Sequence, residues 1–296
     1  MEKKIFYMFM LLLVTFFWGV TFPIIKTALQ YVSADAFLAF RFLIATALMG
    51  ILVRKGGDFW KRRNILTGFT AGFLLFLGYY FQTVGLDYTS AAASGIITGI
   101  YVVILPLISF LFLHNKVSRM DVYASVIAFT GLIIMSAGSS AGFGSRLGDL
   151  LTLICGVAYA VQIAYVSRYS GSLNSYTFTF YQLLAVTVFS FAAIPISPGG
   201  IGTFNGYVIF ALVFTAIFGS IFGYYVSTIA LIYVDPAAAG VIYVGEPVFA
   251  ALASVIIAHE ALGISVIIGG TVMVAAMLMT SLDKYLKTKR TQGAQS

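Results

Sequence analysis

Apolar runs of about 20 residues, separated by short polar punctuation, recur along the whole of this chain. A helix of that length crosses the ~30 Å hydrocarbon core of a bilayer. The pattern predicts ten helices, near 5–26, 36–54, 64–86, 91–113, 121–138, 148–168, 175–196, 206–231, 236–258 and 263–282. The punctuation carries turn and charge signals: Ser33-Ala34-Asp35, Arg54 through Arg63, Asn115 through Arg119, Ser139 through Gly148, and Ser197-Pro198-Gly199-Gly200. The run after Met1-Glu2-Lys3-Lys4 is too long for a signal peptide and lacks a small-x-small cleavage site, so it is expected to be a retained helix.

The chain also says one thing twice. Gly78-Tyr79-Tyr80, Thr83, Leu86-Asp87-Tyr88, Ala92-Ala93 and Gly95 return without a gap as Gly223-Tyr224-Tyr225, Thr228, Leu231-Ile232-Tyr233, Ala237-Ala238 and Gly240. The register runs on to His114-Asn115, which falls on His259-Glu260. Five helices per half is an odd number, so two related halves enter the membrane in opposite directions. The expected fold is an all-α polytopic membrane protein. Its ten transmembrane helices form two inverted five-helix repeats around a central cavity, at 1–138 and 148–282, followed by a basic tail at 283–296.

Composition changes this picture little. Sixty per cent hydrophobic and 9% charged residues exclude an ordinary soluble domain. The single cysteine, Cys155, sits in an apolar run and says nothing about redox compartment. The net charge of +7 would suit nucleic acid, but the cations lie between and after the apolar runs. With the N-terminus in the cytoplasm, 14 of the 17 Lys and Arg residues fall inside: Lys3, Lys4, Arg54, Lys55, Lys61, Arg62, Arg63, Lys116, Arg119, Arg168, Lys284, Lys287, Lys289 and Arg290. Lys26 and Arg146 remain outside, and Arg41 lies within a span. The charge bias places both termini in the cytoplasm of a cell-membrane protein.

Several motifs carry a family resemblance: Trp18-Gly19-Val20-Thr21-Phe22 with Lys26, Arg41-Phe42, Leu86-Asp87-Tyr88-Thr89-Ser90-Ala91-Ala92-Ala93, Glu246-Pro247 and His259-Glu260. In this order and at these places in both halves, the chain resembles the EamA-like branch of the drug/metabolite transporter superfamily, from about Phe17 to Leu282. It departs from the family where Asn115 stands in place of an acidic residue and where Ala124 and Ala276 stand in place of glycine, opposite Gly269 and Gly131. The resemblance implies a ten-helix bundle with a central cavity and export, or exchange, of small metabolites such as amino acids or amphipathic compounds.

Helix periodicity nominates the residues that line such a cavity. Ala239, Tyr243, Glu246 and Ala250 share one helical face, and Ser94, Thr98, Tyr101 and Leu105 share the equivalent face of the first half. Glu246 sits near mid-span, where an acid costs about 2.5–3.5 kcal/mol and therefore faces protein or water. Tyr79, Gln82, Tyr224 and Ser227 extend these faces; Trp18, Tyr159, Gln162, Tyr165, Tyr181 and Gln182 add an aromatic and amide group. The alternative for all of them is interhelical hydrogen bonding. Arg41 either pairs at the rim with Asp35 or Asp87, or meets Glu246 or a substrate carboxylate. Pro106 and Pro247 are candidate hinges, each freeing a carbonyl one turn back. Gly68-x-x-x-Gly72, Gly95-x-x-x-Gly99 and Gly219-x-x-x-Gly223 are expected as packing faces without chemistry.

No catalytic, metal or cofactor site is expected. His259-Glu260 lacks the second histidine of a zinc-protease motif, and no phosphate loop is visible. The expected partners are a small-molecule substrate, the lipid bilayer and protons as a candidate coupling ion, with the chain a monomer or homodimer. A channel or an intramembrane enzyme is the rival reading. The charge bias predicts that a reporter fused after Ser296 fluoresces if it folds only in the cytoplasm and is silent if it works only outside; the reverse outcome overturns the orientation.

Overall fold

A chain in hydrocarbon must pair its backbone polar groups within its own helices, and the described residues are almost wholly helical. The computed structural model describes residues 2–53, 59–89, 91–111, 117–137, 146–196, 200–258 and 263–293. Arg54, Lys55, Ser90, His114, Asn115, Lys116, His259, Glu260 and loop residues 139–145 and 197–199 lie outside them, as do the side chains of Ala92, Lys284, Lys287, Lys289 and Arg290.

In chain order the helices are α1 (Glu2–Ala28), α2 (Ala34–Val53), α3 (Arg62–Tyr88), α4 (Ala91–Thr98), α5 (Tyr101–Leu111), α6 (Arg119–Ala137), α7 (Arg146–Ser170) and α8 (Ser175–Ala193). They continue as α9 (Gly206–Phe214), a π-helical stretch (Thr215–Phe222), α10 (Gly223–Tyr233), α11 (Pro236–Tyr243), α12 (Gly245–Ala258) and α13 (Ile264–Gly293). Asn174 and Asn205 cap α8 and α9 by accepting backbone N–H bonds in the first turn. Among the described residues, eight stretches are long and apolar enough to cross a membrane: Lys3–Ala28, α2, α3, Ala93–Leu111, α7, α8, Gly206–Tyr233 and Pro236–Ile257. A shorter apolar helix, Ile264–Thr280, opens α13. Large apolar side chains point outward along them, with Phe110 64% and Ile256 74% exposed. The protein is a multi-pass membrane protein.

Three runs predicted as continuous helices are interrupted. The predicted 91–113 helix breaks at Gly99 and Ile100, and the predicted 236–258 helix breaks at Val244. Val244 is the repeat equivalent of Gly99, so the two breaks coincide. Around the first, Val102 N–H and Val103 N–H reach back only three residues, to Gly99 O and Ile100 O. The predicted 206–231 helix contains the π-helical stretch. The expected tail at 283–296 instead begins as helix, since α13 continues to Gly293.

The helices pack in a pattern that the sequence period explains. α3 lies against α7 and α8, while α1 lies against α10 and α12; α2 packs on α8, and α6 on α13. At the last contact, Gly131 and Gly269 face each other so closely that a Cβ on either would overlap the other's backbone carbonyl. The alanines in the corresponding places of the opposite halves, Ala276 and Ala124, are fully buried. Among the described residues the single extended pairing is the bridge between Val32 and Gly202, made as Thr203 N–H donates to Tyr31 O at 2.7 Å. Gly202 has φ +87°, and a side chain there would strike the Tyr31 backbone.

Gly269→Leu is expected to overpack the α6–α13 contact and cost about 1–3 kcal/mol, read as a lower midpoint of thermal aggregation in detergent. Gly171→Ala, whose added methyl meets open space, should leave the midpoint where it is.

Candidate functional site

Three helical faces with the same spacing enclose one cavity. α1 presents Trp18, Thr21, Phe22 and Ile25; α3 presents Tyr79, Gln82, Thr83 and Leu86; α7 presents Tyr159, Gln162 and Ile163. Positions at i, i+3, i+4 and i+7 form one stripe of a helix, and this stripe is the cavity wall each time. Tyr101, Tyr224 and Glu246 complete it, around a narrow cavity with about 30 Å³ of room.

Tyr101 and Glu246 reach the cavity from just beyond the two helix breaks. Pro247 has no N–H, so the Tyr243 carbonyl four residues earlier loses its helical donor. The Tyr101 hydroxyl fills that role, donating to Tyr243 O at 2.9 Å, and it lies 3.2 Å from Glu246 Oε2. Tyr101 and Glu246 are equivalent residues of the two repeats, so the halves touch through the very pair at which they differ. Both are almost fully buried, Glu246 at 6% exposure. Pro247 stands in the first turn of α12, where a missing N–H is tolerated. Pro106 lies inside α5, seven residues beyond the Gly99 break, so the discontinuity in this half falls at glycine and not at proline.

A second junction depends on the π-helix. There Gly223 N–H turns to Phe218 O and Ser220 O, and the Trp18 indole N–H donates to Gly219 O at 2.8 Å. A Cβ at Gly223 would overlap the Trp18 indole, and one at Gly219 would press on the Arg41 guanidinium. Gly219-x-x-x-Gly223 therefore seats two side chains; it is not the plain helix-packing face that its spacing suggests. Gly78 performs the matching service for the ring of Tyr159, which takes the place of Trp18 in the second half.

Arg41 corrects the rim reading. It is 1% exposed, donates to Ser220 Oγ at 3.0 Å and to Tyr79 OH at 3.1 Å, and lies over the rings of Tyr79 and Phe42. It makes no ion pair with Asp35, Asp87 or Glu246; among the described residues the ion pair is Lys4 with Asp235. Ser220 Oγ on the π-helix, the Tyr79 hydroxyl on α3 and two aromatic faces offset part of its desolvation where snorkelling would otherwise be expected, while Nη1 has no hydrogen-bond partner among the described residues. The rim position belongs instead to Lys26, whose ammonium caps the last carbonyls of α3, Leu86 O at 2.6 Å and Asp87 O at 3.2 Å.

The structure thus brings Trp18, Tyr79, Gln82, Tyr101, Gln162, Tyr224 and Glu246 to the wall. Thr98 stands behind it as acceptor for Gln82 Nε2 at 3.3 Å, and Tyr243 supports it through its carbonyl and its ring, 5.3 Å from Trp18. Tyr159 OH donates to Gln82 Oε1 and Gln162 Nε2 to Gln182 Oε1, fixing both wall amides. Tyr181 does not join them; its hydroxyl donates to Phe59 O at the far end of α8's contact with α3. Thr21, Phe22, Ile25, Thr83, Leu86 and Ile163 escaped the sequence reading, though they continue the stripes begun at Trp18, Tyr79 and Tyr159.

The model of the EamA-like transporter family matches this chain twice, over residues 5–137 and 146–282. The chain belongs to the EamA-like transporter family. It is 36% identical over 274 residues to an uncharacterized transporter of Archaeoglobus fulgidus, covering 92% of this chain and 84% of that one. A second uncharacterized transporter from the same organism is 25% identical over 256 residues, covering 86% and 90%. A protein of known crystal structure, 17% identical, superposes with a TM-score of 0.76 over 92% of this chain and 95% of its own; that likeness concerns the fold. The family places the cavity in a membrane transporter.

In this EamA-like transporter, Tyr101→Phe leaves the Tyr243 carbonyl and Glu246 without their donor. Stranding a buried polar group costs about 1–3 kcal/mol. A thermal-stability measurement should show that loss, while Tyr181→Phe, at the edge, should show less.

Proposed function

We propose that this protein is a secondary active transporter that moves small metabolites across the cell membrane by alternating access, most simply as an exporter. The observation that carries the reading is the buried Glu246 carboxylate, facing a cavity between the two halves and bonded across them to its own repeat equivalent. A carboxylate near mid-membrane is costly and marks a solute or proton path.

The proposal includes ten transmembrane helices in two inverted repeats, at 1–138 and 148–282, with both termini cytoplasmic. Three features support it. The family model matches each half separately. The helix contacts keep their pattern when the halves are exchanged: α3 on α7 answers α10 on α1, and α1 on α12 answers α7 on α4 and α5. Broken helices recur at equivalent points, Gly99 and Val244, and discontinuous helices with free backbone groups are where such carriers bind their solutes.

In this reading α1, α10, α11 and α12 form one moving body and α3, α4, α5 and α7 the other, framed by the self-paired contacts α2–α8 and α6–α13. Rocking about the Tyr101–Glu246 contact exposes the cavity to alternate sides. Glu246 also makes the proton the candidate coupling ion, exchanged against the metabolite. Deprotonated, the carboxylate accepts from Tyr101; protonated, it becomes neutral and has a hydrogen to donate.

The test is transport by the purified protein in liposomes, with substrates found by thermal stabilisation. Glu246→Gln mimics the protonated acid permanently, so its transport should lose both its pH dependence and its response to a pH gradient. Equal pH profiles for the variant and the parent protein end the proton-coupling idea. Large unitary currents in place of saturable counterflow end the carrier.

A further inference from the structure

Residues 54–63 carry five cations, Arg54, Lys55, Lys61, Arg62 and Arg63, against one acid, Asp58. Directly after them comes α3, a membrane-crossing helix. Charge alone would only orient the chain. Here it is joined by Trp60, one of the two tryptophans, which is 82% exposed. The fold fixes the depth at which that ring sits. The Tyr181 hydroxyl donates to Phe59 O at 3.1 Å, and the Phe59 ring lies 5.2 Å from that of Tyr181 and 5.3 Å from that of Phe180, between centroids. Phe180 stands five residues after the first residue of α8, about 8 Å along the helix. It also borders Gly50, three residues before the end of α2. The segment therefore folds back along the bundle and does not rise from it. Trp60, its ring 4.9 Å from that of Phe59, stands at the level of the lipid headgroups, where an amphipathic ring is at home.

The cations beside it are held at the same level. Arg63 donates to Ser172 Oγ at 3.0 Å, which ties the start of α3 to the turn between α7 and α8. Lys61 and Arg62 are exposed, and no acid stands in the first turn of α3. Among the described residues Arg62 and Arg63 make no ion pair. Three successive cations at the positive end of a helix dipole are unfavourable without an anion near them. We propose that Trp60, Lys61 and Arg62 hold the headgroup of one anionic phospholipid, its phosphodiester against the two cations and its upper chain or glycerol against the indole. The recognition is that of a basic cluster next to a span for an acidic lipid. It is independent of what the cavity carries. A lipid seated there fastens the start of α3 to the leaflet and, through Phe59, fastens α8 with it.

Native mass spectrometry of the full-length protein in detergent tests the site by counting retained lipids. The probes are phosphatidylglycerol and phosphatidylcholine with the same chains. One cation near an anionic headgroup is worth about fivefold in affinity. The first phosphatidylglycerol is therefore expected to bind at least about twentyfold tighter than phosphatidylcholine, the product of two such interactions. Arg62→Gln should lower that preference about fivefold. Arg119→Gln removes an exposed cation at the start of α6, which two crossings bring to the same end of the bundle; it should leave the preference unchanged. Inorganic phosphate and glycerol phosphate, in excess over the lipid, should not displace it, because they bring no apolar part to Trp60. Equal retention of the two lipids overturns the proposal, as does a preference kept in Arg62→Gln or lost equally in Arg119→Gln. Displacement by either soluble phosphate also overturns it, in favour of a free-phosphate site. The two lipids and the soluble phosphates are compared on the unmodified protein, so those outcomes stand even if a variant fails to fold.

Discussion

Inside a membrane no water completes an unfinished helix, so a backbone carbonyl without a donor must find one in the protein. Pro247 creates such a carbonyl at Tyr243, and Tyr101 from the other half answers it. That bond joins α5 to α11 and brings the Tyr101 hydroxyl beside Glu246. The π-helical stretch repeats the arrangement with different parts, as its Gly219 O accepts from the Trp18 indole of α1. Both irregularities would be faults in lipid-facing helices. Here they turn backbone groups into the contacts that hold the two halves together around the site.

The internal duplication gives these contacts their places. Gly99 and Val244 break their helices at equivalent points, and Gly78 and Gly223 each make room for a ring, that of Tyr159 or of Trp18. Elsewhere the halves have diverged in complementary ways. Gly131 and Gly269 are not repeat equivalents, yet they meet at the α6–α13 crossing, each taking the close approach that the other needs.

Much of the site was legible because cavity walls follow helix periodicity. Trp18, Tyr79, Gln82 and Gln162 stood out as polar or amphipathic residues in apolar runs, and the stripes they begin run on through Thr21, Thr83 and Ile163. What could not be read was anything that depends on irregular backbone. The hydrophobic pattern of 206–231 is continuous, and nothing in it marks a change of hydrogen-bond step from four residues to five. The fate of Arg41 followed from that blind spot. A lone arginine two turns into a span is ordinarily drawn to the rim, and here Ser220, the Tyr79 hydroxyl and the rings of Tyr79 and Phe42 hold it in the interior.

The sequence by itself determined that the chain is a multi-pass membrane protein of apolar helices, that its two halves are related and which family it joins. Those properties are local or periodic: run length, charge position and repeated spacing are all carried along one dimension. The tertiary structure alone decided that Tyr101 caps a proline-freed carbonyl, that Gly219 and Gly223 seat side chains, and that Arg41 and Glu246 stay apart. Each of these is a contact between residues on different helices, in several cases well over a hundred positions apart in the chain. Whether such a contact forms depends on how closely two helices approach and on which backbone groups their irregularities leave open.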